Sequence, residues 1–175
     1  MTADNDNSIQ SQGLYVWQAD NLLAATKTFA GHWQFGAVPV ESNNDANKPI
    51  SSTRIATDTR TIKTGDIFLA LTGDNFDGHD YLDIAIEKGA VAAIVSRPVA
   101  ADIAQLVVDD TRLALGQLAA YRRQQHKDLT VIAITGSSGK TTCKEMLGSI
   151  FGRLAPTLIT RGNLNNDLGV PMMLL

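Results

Sequence analysis

The sequence predicts an α/β protein in two parts, a small N-terminal α/β domain followed by the start of a second domain built on a parallel sheet. Three observations predict it. Short apolar runs bounded by turn residues recur at residues 67–71 (IFLAL), 90–95 (AVAAIV) and 130–135 (TVIAIT), the length and setting of buried strands. Helical periodicity fills the intervals at residues 81–88 and from residue 111. The run at 130–135 is followed by a glycine-bearing loop, a helical stretch at 143–154 and a further apolar run at 157–160, which reads as one βαβ unit and hence a parallel sheet.

In chain order, residues 1–12 are polar and aperiodic and read as a loose tail. Leu14, Val16, Leu22, Leu23 and Phe29 then suggest a short strand and a helix ending at Gly31. Residues 41–49 (ESNNDANKP) form a turn-rich loop, and the β-branched stretch after it reads as a strand running to about Thr57. A compact loop at 63–66 leads into the run at 67–71, followed by the polar loop TGDNFDGHD at 72–80. The helical pattern of 81–88 is closed by Gly89. After the run at 90–95, a short strand at 105–108 precedes Asp109 and Asp110, either of which can cap a helix with a stripe of Leu113, Leu115, Leu118 and Tyr121. The division expected is a tail at 1–12, a first domain at 13–109, and a linker helix with the opening βαβ unit of a second domain at 110–175. One βαβ unit cannot cover both faces of a parallel sheet, so the chain reads as cut within that second domain.

Composition excludes several classes. With 44% hydrophobic and 19% charged residues over 175 positions the chain is ordinary globular protein. A net charge of -3 offers no general attraction for nucleic acid or an anionic membrane, so any phosphate must be held by a local site. Cys143 is the single cysteine, which excludes an internal disulfide, and it reads as a small residue packed in a helix's first turns. The N-terminus lacks the basic and apolar stretches of a signal peptide, and no apolar run nears the roughly 18 residues of a membrane span; a cytoplasmic protein is expected. His32 and His126 have no partner at a metal-ligand interval, and Arg122, Arg123 and Lys127 read as a basic helix end that complements the helix dipole.

The loop TGSSGKTT at 135–142 carries the strongest chemical signal. Gly136 and Gly139 let the backbone turn so that its N–H groups face one cavity, with Ser137 and Ser138 between them, while the next helix offers its positive end to the same anion. Lys140 adds a mobile charge, Thr141 a hydroxyl for Mg²⁺, and Thr142 completes the motif. Such a string arises by chance in roughly one chain of this length in a few thousand. A full Walker pattern would place another glycine where this chain has Ile134.

That shortened loop resembles the ATP loop of the Mur ligases and folylpolyglutamate synthetases. The segment TRGNLNNDLGVPMMLL at 160–175 is similar to the stretch downstream of the loop in MurF-type ligases, where MurE-type ligases carry Thr-Thr-Pro. Upstream, DTR at 58–60 and TGDIFLALTGDNFDGHDY at 64–81 resemble the N-terminal domain that MurE and MurF types share. The resemblance runs from about Ile50 to Leu175. It implies an ATP- and Mg²⁺-dependent ligase of cell-wall synthesis that joins D-alanyl-D-alanine to a UDP-N-acetylmuramoyl tripeptide through an acyl-phosphate. Lys140 and Thr141 would then be catalytic, with residues 136–142 binding nucleotide and Thr141 the metal. The resemblance also implies a D-alanyl-D-alanine site and a second magnesium ligand beyond Leu175, hence an inactive fragment.

A uridine diphosphate needs a cation for its phosphates and polar edges for its base, and Thr59, Arg60, Asp77 and His79 lie in loops that follow neighbouring apolar strands. Asp-Thr-Arg is also an ordinary turn and a lone histidine is often merely solvated. Asn163 and Asn166, with Asn165 between them in sequence, offer amides near the expected end of a parallel strand, where open sheets bind ligands. A monomer that binds neither nucleic acid nor membrane is expected. The alternatives are a MurE-type ligase adding the third amino acid and a non-catalytic nucleotide- or UDP-binding module.

Overall fold

The computed structural model describes residues 15–35 and 50–175, so the expected tail at 1–12 and loop at 41–49 lie outside the described residues. The chain forms two compact units, Met1–Thr111 and Arg112–Leu175.

The first unit is α/β, as expected. Strand β1 (Trp17–Gln18) leads into helix α1 (Ala19–Thr26) and a 3₁₀ turn at Lys27–Phe29. The helical stretch stops at Ala30, which takes a left-handed φ of 51°, one residue before the expected Gly31. Gly31 instead serves a close approach. A Cβ there would lie 2.4 Å from Thr26 Oγ1, so only glycine lets the chain pass this near to α1. Strand β2 (His32–Phe35) follows.

The single strand expected up to Thr57 is two. Strand β3 (Ser51–Ser52) pairs antiparallel with β1, whereas β4 (Ile55–Ala56) joins a different sheet. Ser52 causes the break, because its hydroxyl accepts from Arg54 N–H (3.2 Å) and donates to Arg54 C=O (3.0 Å), a local pairing that competes with a continuous ladder.

The main sheet has five strands in the order β2-β9-β8-β5-β4, where β5 is Ile67–Leu69, β8 is Ala92–Val95 and β9 is Ala104–Val107. Strands β4, β5, β8 and β9 are mutually parallel, and β2 closes one edge antiparallel to β9. Residues of β5 and β8 are buried on both faces, which is why these segments read as unbroken apolar runs rather than alternations. On one face Phe68, Ala93, Val95 and Val107 pack with Leu82 and Ala85 of helix α2 (Leu82–Glu87). Each large side chain so buried stabilises the unit by about 1.5–3 kcal/mol. Gly89 ends α2 at φ 86°, as its position predicts, and donates to Ile86 C=O.

The connection from β8 to β9 occupies only residues 96–103 and contains no helix, although parallel neighbours usually need a dozen residues or more to cross over. Gln105 holds it. Its fully buried carboxamide accepts from Val99 N–H (2.9 Å) and donates to Val99 C=O (2.7 Å), standing in for a strand neighbour.

Between β5 and α2 the polar loop is more ordered than its composition suggests. It makes a hairpin of β6 (Thr72–Gly73) and β7 (Phe76–Asp77), then a 3₁₀ turn at Gly78–Tyr81. Gly78 N–H bonds Leu71 C=O at 2.8 Å, and a Cβ on Gly78 would meet that same oxygen at 2.7 Å.

Helix α3 (Thr111–Gln125) begins at the boundary between the units. Its buried stripe is Ala114, Leu115, Leu118 and Ala119; Leu113, expected within the stripe, is 52% exposed, because two residues advance about 200° around a helix and put it on the face away from Leu115. In the second unit helix α4 (Lys140–Phe151) covers most of the expected run at 143–154 but begins and ends three residues earlier, and α5 (Gly169–Leu174) follows. The strands expected on either side of α4 differ from expectation: residues 130–135 and 157–160 carry no ladder pairing. A strand exists only where another backbone lies alongside it, and here the 157–160 segment is instead held by the helix. Lys144 donates to Thr160 C=O at 2.7 Å, and Ile159 fits against Gly148, where a Cβ would come within 2.6 Å of it.

Candidate functional site

In the second unit the loop before α4 has the shape its glycines predict. Gly136 sits at φ 149° and Gly139 at φ 75°, both in the region that favours glycine. Gly139 is the N-cap of α4 and has no side chain with which to satisfy the first-turn N–H groups; the first helical bond runs from Cys143 N–H to Gly139 C=O at 2.9 Å. The N–H groups of Lys140, Thr141 and Thr142 therefore have no acceptor within the helix and lie on an exposed surface, beside Ser137 and Ser138. The Lys140 ammonium curls back over this loop to Gly136 C=O at 2.5 Å. This arrangement gathers one cation, several N–H donors and the positive end of a twelve-residue helix on one exposed loop. Cys143 is exposed rather than packed, which corrects the sequence expectation: it points outward from the first turn of α4.

Beyond α4, the turn bearing the asparagines spans residues 161–168, with no strand end beside it among the described residues, contrary to expectation. Asn166 accepts from Gly169 N–H at 2.7 Å and so caps α5, while its carbonyl accepts from Val170 N–H. Asn163 C=O accepts from Asn165 N–H at 2.7 Å. Asp167 pairs with Arg112 of α3 at 2.5 Å.

In the first unit the four candidate substrate residues fall into two local networks. Asp58 caps the 3₁₀ turn Thr59–Thr61 by accepting from Arg60 N–H at 2.9 Å, and the Arg60 guanidinium returns to the same carboxylate with its shortest contact at 2.6 Å. These bonds hold the Asp58 carboxyl at about 2 and raise Arg60 above its ordinary value. Arg60 remains 87% exposed. Lys88 donates to Thr59 C=O at 2.7 Å and ties this turn to the end of α2.

The second network centres on Asp77, which caps the turn Gly78–Tyr81 by accepting from His79 N–H at 3.0 Å. It also faces His79 Nδ1 at 2.5 Å and Arg97 at 2.7 Å. The His79 backbone N–H foremost, then the His79 ring and Arg97, hold the Asp77 carboxyl well below the usual range. His79 itself is not the solvated loop histidine that its context suggests, for only 1% of its side chain is exposed. With Nδ1 donating to Asp77, Nε2 accepts from Ser96 N–H at 2.9 Å, so both ring nitrogens are engaged. Ser96 Oγ lies 3.3 Å from Nε2, giving the outline of an Asp-His-Ser relay. The backbone N–H holds the ring's single acceptor lone pair, however, which leaves no base for the hydroxyl.

Sequence reasoning missed Asp58, Lys88, Ser96 and Arg97 as members of these networks. Arg97 carried a legible signal, a basic residue just past the end of a buried parallel strand, the side on which open sheets bind ligands. Among the described residues no group of three or more His, Cys, Asp or Glu side chains has a metal-binding arrangement, and no helix is long and apolar enough to cross a membrane.

Two family models match the chain: "Mur ligase family, catalytic domain" over residues 52–123 and "Mur ligase middle domain" over 134–175. Among curated relatives, the UDP-N-acetylmuramoyl-tripeptide--D-alanyl-D-alanine ligase of Escherichia coli (strain K12) is 54% identical over 121 residues, 69% of this chain and 26% of the relative. The enzyme of that name from Haemophilus influenzae is 49% identical over 127 residues, 70% of this chain and 28% of the relative. A crystal structure of MurF from Acinetobacter baumannii superposes with a TM-score of 0.78 at 57% identity, covering 92% of this chain and 33% of that one. The MurF ligase of Thermotoga maritima in complex with ADP gives a TM-score of 0.61 at 35% identity over 69% of this chain and 28% of that one. The chain thus spans about a quarter of the length of these curated relatives.

Proposed function

This chain belongs to the Mur ligase family and to its MurF type, and on that premise we propose that it carries the nucleotide-phosphate loop and the uridine-diphosphate end of an ATP-dependent ligase joining D-alanyl-D-alanine to a UDP-N-acetylmuramoyl tripeptide. One observation carries the reading, the pair of left-handed glycines and the uncapped first turn of α4 with Lys140 folded over it. That donor set suits a polyphosphate, whose oxygens need several N–H groups and a cation at once.

ATP, when bound, supplies the phosphoryl group that activates the tripeptide's terminal carboxylate. Lys140 neutralises charge on the transferring phosphate, and the backbone of residues 136–142 orients the chain of phosphates. Thr141 would offer one hydroxyl ligand to Mg²⁺, which would help neutralise the phosphate charge. At the other end, Arg60 is a charged, exposed guanidinium held by Asp58, and Thr59 presents a hydroxyl beside it, which suits a diphosphate or uracil edge. Asp77, in the second network, is assigned to the substrate end by the same reading, and His79 acts on it as a positioning residue, orienting Asp77 and the Ser96 backbone. Asn163 and Asn166 offer amides for contact with substrate or phosphate in the second unit.

Calorimetric titration tests both halves. Mg-ATP should bind the chain and weaken about tenfold or more on Lys140→Met, and UDP should weaken by a similar factor on Arg60→Ala. Binding that is indifferent to Lys140 would remove the phosphate-loop reading, and a folded chain that takes up neither UDP nor the UDP-linked tripeptide would remove the other.

A further inference from the structure

Two features set Lys144 apart. It stands one turn after Lys140 on α4, beside Glu145, and so directs its charge away from the phosphate loop. Its side chain is also mostly withdrawn from water, 19% exposed, where an apolar residue would pack at lower cost. Lys140 faces the phosphate loop; Lys144 faces Thr160 C=O at 2.7 Å and the adjacent Glu145 at 2.9 Å.

Thr160 is the last residue before the turn that carries Arg161, Asn163 and Asn166. The segment leading into that turn has no ladder bonds, so its placement rests on Lys144 and on the Ile159–Gly148 contact one turn further along α4. Ile159 sets how closely the segment packs, but an apolar contact does not set its position along the helix axis. The charge-assisted bond from Lys144 does, because it ends on one carbonyl. We propose that Lys144 is a positioning residue of the nucleotide site, locking the Asn163–Asn166 turn to the first turns of the phosphate-loop helix so that loop and turn respond together to one polyphosphate ligand. This role rests on the loop's proposed function as a phosphate binder.

Hydrogen exchange and calorimetry on the chain with Mg-ATP test it. In the wild type, Mg-ATP should slow exchange both at residues 136–142 and at 160–167. Lys144→Met should bind Mg-ATP about tenfold more weakly and keep ligand-induced protection only at 136–142, while Lys144→Arg, which retains the charge and donors, restores both. The ligand-free methionine variant loses the bond to Thr160 C=O and should melt somewhat lower; a purely structural lysine would do the same but would leave Mg-ATP affinity and ligand-induced protection at 160–167 unchanged. Should the methionine variant lose helix by circular dichroism, Lys144→Gln is read in the same way. Unchanged affinity and unchanged protection at 160–167 in a variant that still binds would overturn the role of Lys144 while sparing the phosphate loop. Absence of Mg-ATP binding by the folded wild type would overturn both.

Discussion

Replacing Gln105 by leucine should loosen the first unit by an amount that follows from two hydrogen bonds. The side chain is fully buried and spends its whole amide on Val99, accepting at 2.9 Å and donating at 2.7 Å. Leucine has similar volume, so little cavity forms, and the loss is polar. Each bond contributes about 1 kcal/mol net, and each orphaned backbone group costs about 1–3 kcal/mol if it stays dry. Val99 is half-buried, so water reaches part of it, and the expected total is about 2–4 kcal/mol. For a domain of this size that lowers the melting temperature by roughly 10 °C or more. Urea or thermal unfolding followed by tryptophan fluorescence reads it directly, since Trp33 sits opposite Leu106 in the neighbouring strand. Gln105→Glu supplies an internal check. A carboxylate accepts as the amide did but cannot donate to Val99 C=O, whereas the protonated acid can, so burial raises the carboxyl above its unfolded value of about 4.3. The stability of that variant should therefore fall as pH rises from about 4 towards 7. A leucine variant within about 0.5 kcal/mol of the wild type, or a glutamate variant indifferent to pH, would show that the short crossover does not depend on Gln105.

Three further outcomes are expected. His79→Leu should destabilise the first unit by about 2–4 kcal/mol in urea titration, because Ser96 N–H loses its acceptor and Asp77 loses its ring partner; UDP affinity should fall with it. Acid should weaken the unit through Asp58 and Asp77: both carboxyls are depressed in the folded state, so their stabilisation is complete above the unfolded value of about 3.9 and is lost as pH falls, through about 2 for Asp58 and lower still for Asp77. Both groups are partly exposed, so the loss per group is about 1 kcal/mol after solvent screening, and the stability gap between wild type and Asp77→Asn should narrow below pH 4. Gly89→Ala should cost at least about 1 kcal/mol by thermal melting, as alanine must adopt φ 86° with its Cβ 2.9 Å from Thr64 Oγ1; a neutral result would mean that the turn relaxes freely.

The shape of the loop before α4 was legible because it is decided locally. Gly136, Gly139 and the start of α4 are consecutive in the chain, and their backbone angles follow from residue type alone. The apolar runs announced β5 and β8 for the same reason, since a strand buried on both faces needs no partner's identity to be recognised. Legibility failed wherever a competing local bond or a distant partner decided the outcome. The Ser52 hydroxyl split one expected strand between two sheets, and the face of α3 away from the core took Leu113. His79 read as a solvated loop residue because nothing nearby in sequence announces that Ser96, seventeen positions on, will close over it.

The sequence by itself thus determined the α/β class, the buried runs that became β5 and β8, the glycine turn before α4 and, through the motifs around it, the Mur ligase family, while the parallel sheet it announced for the second unit appears instead in the first. Each of these is written in residues that are neighbours in the chain or that repeat with the period of one element. Only the tertiary structure decided that Gln105 would act as a strand neighbour for Val99, that Asp77, His79, Ser96 and Arg97 would form one network, and that Lys144 would reach Thr160. Those pairings join polar groups from separate elements, and a polar group commits to its partner only once burial has removed water as the alternative.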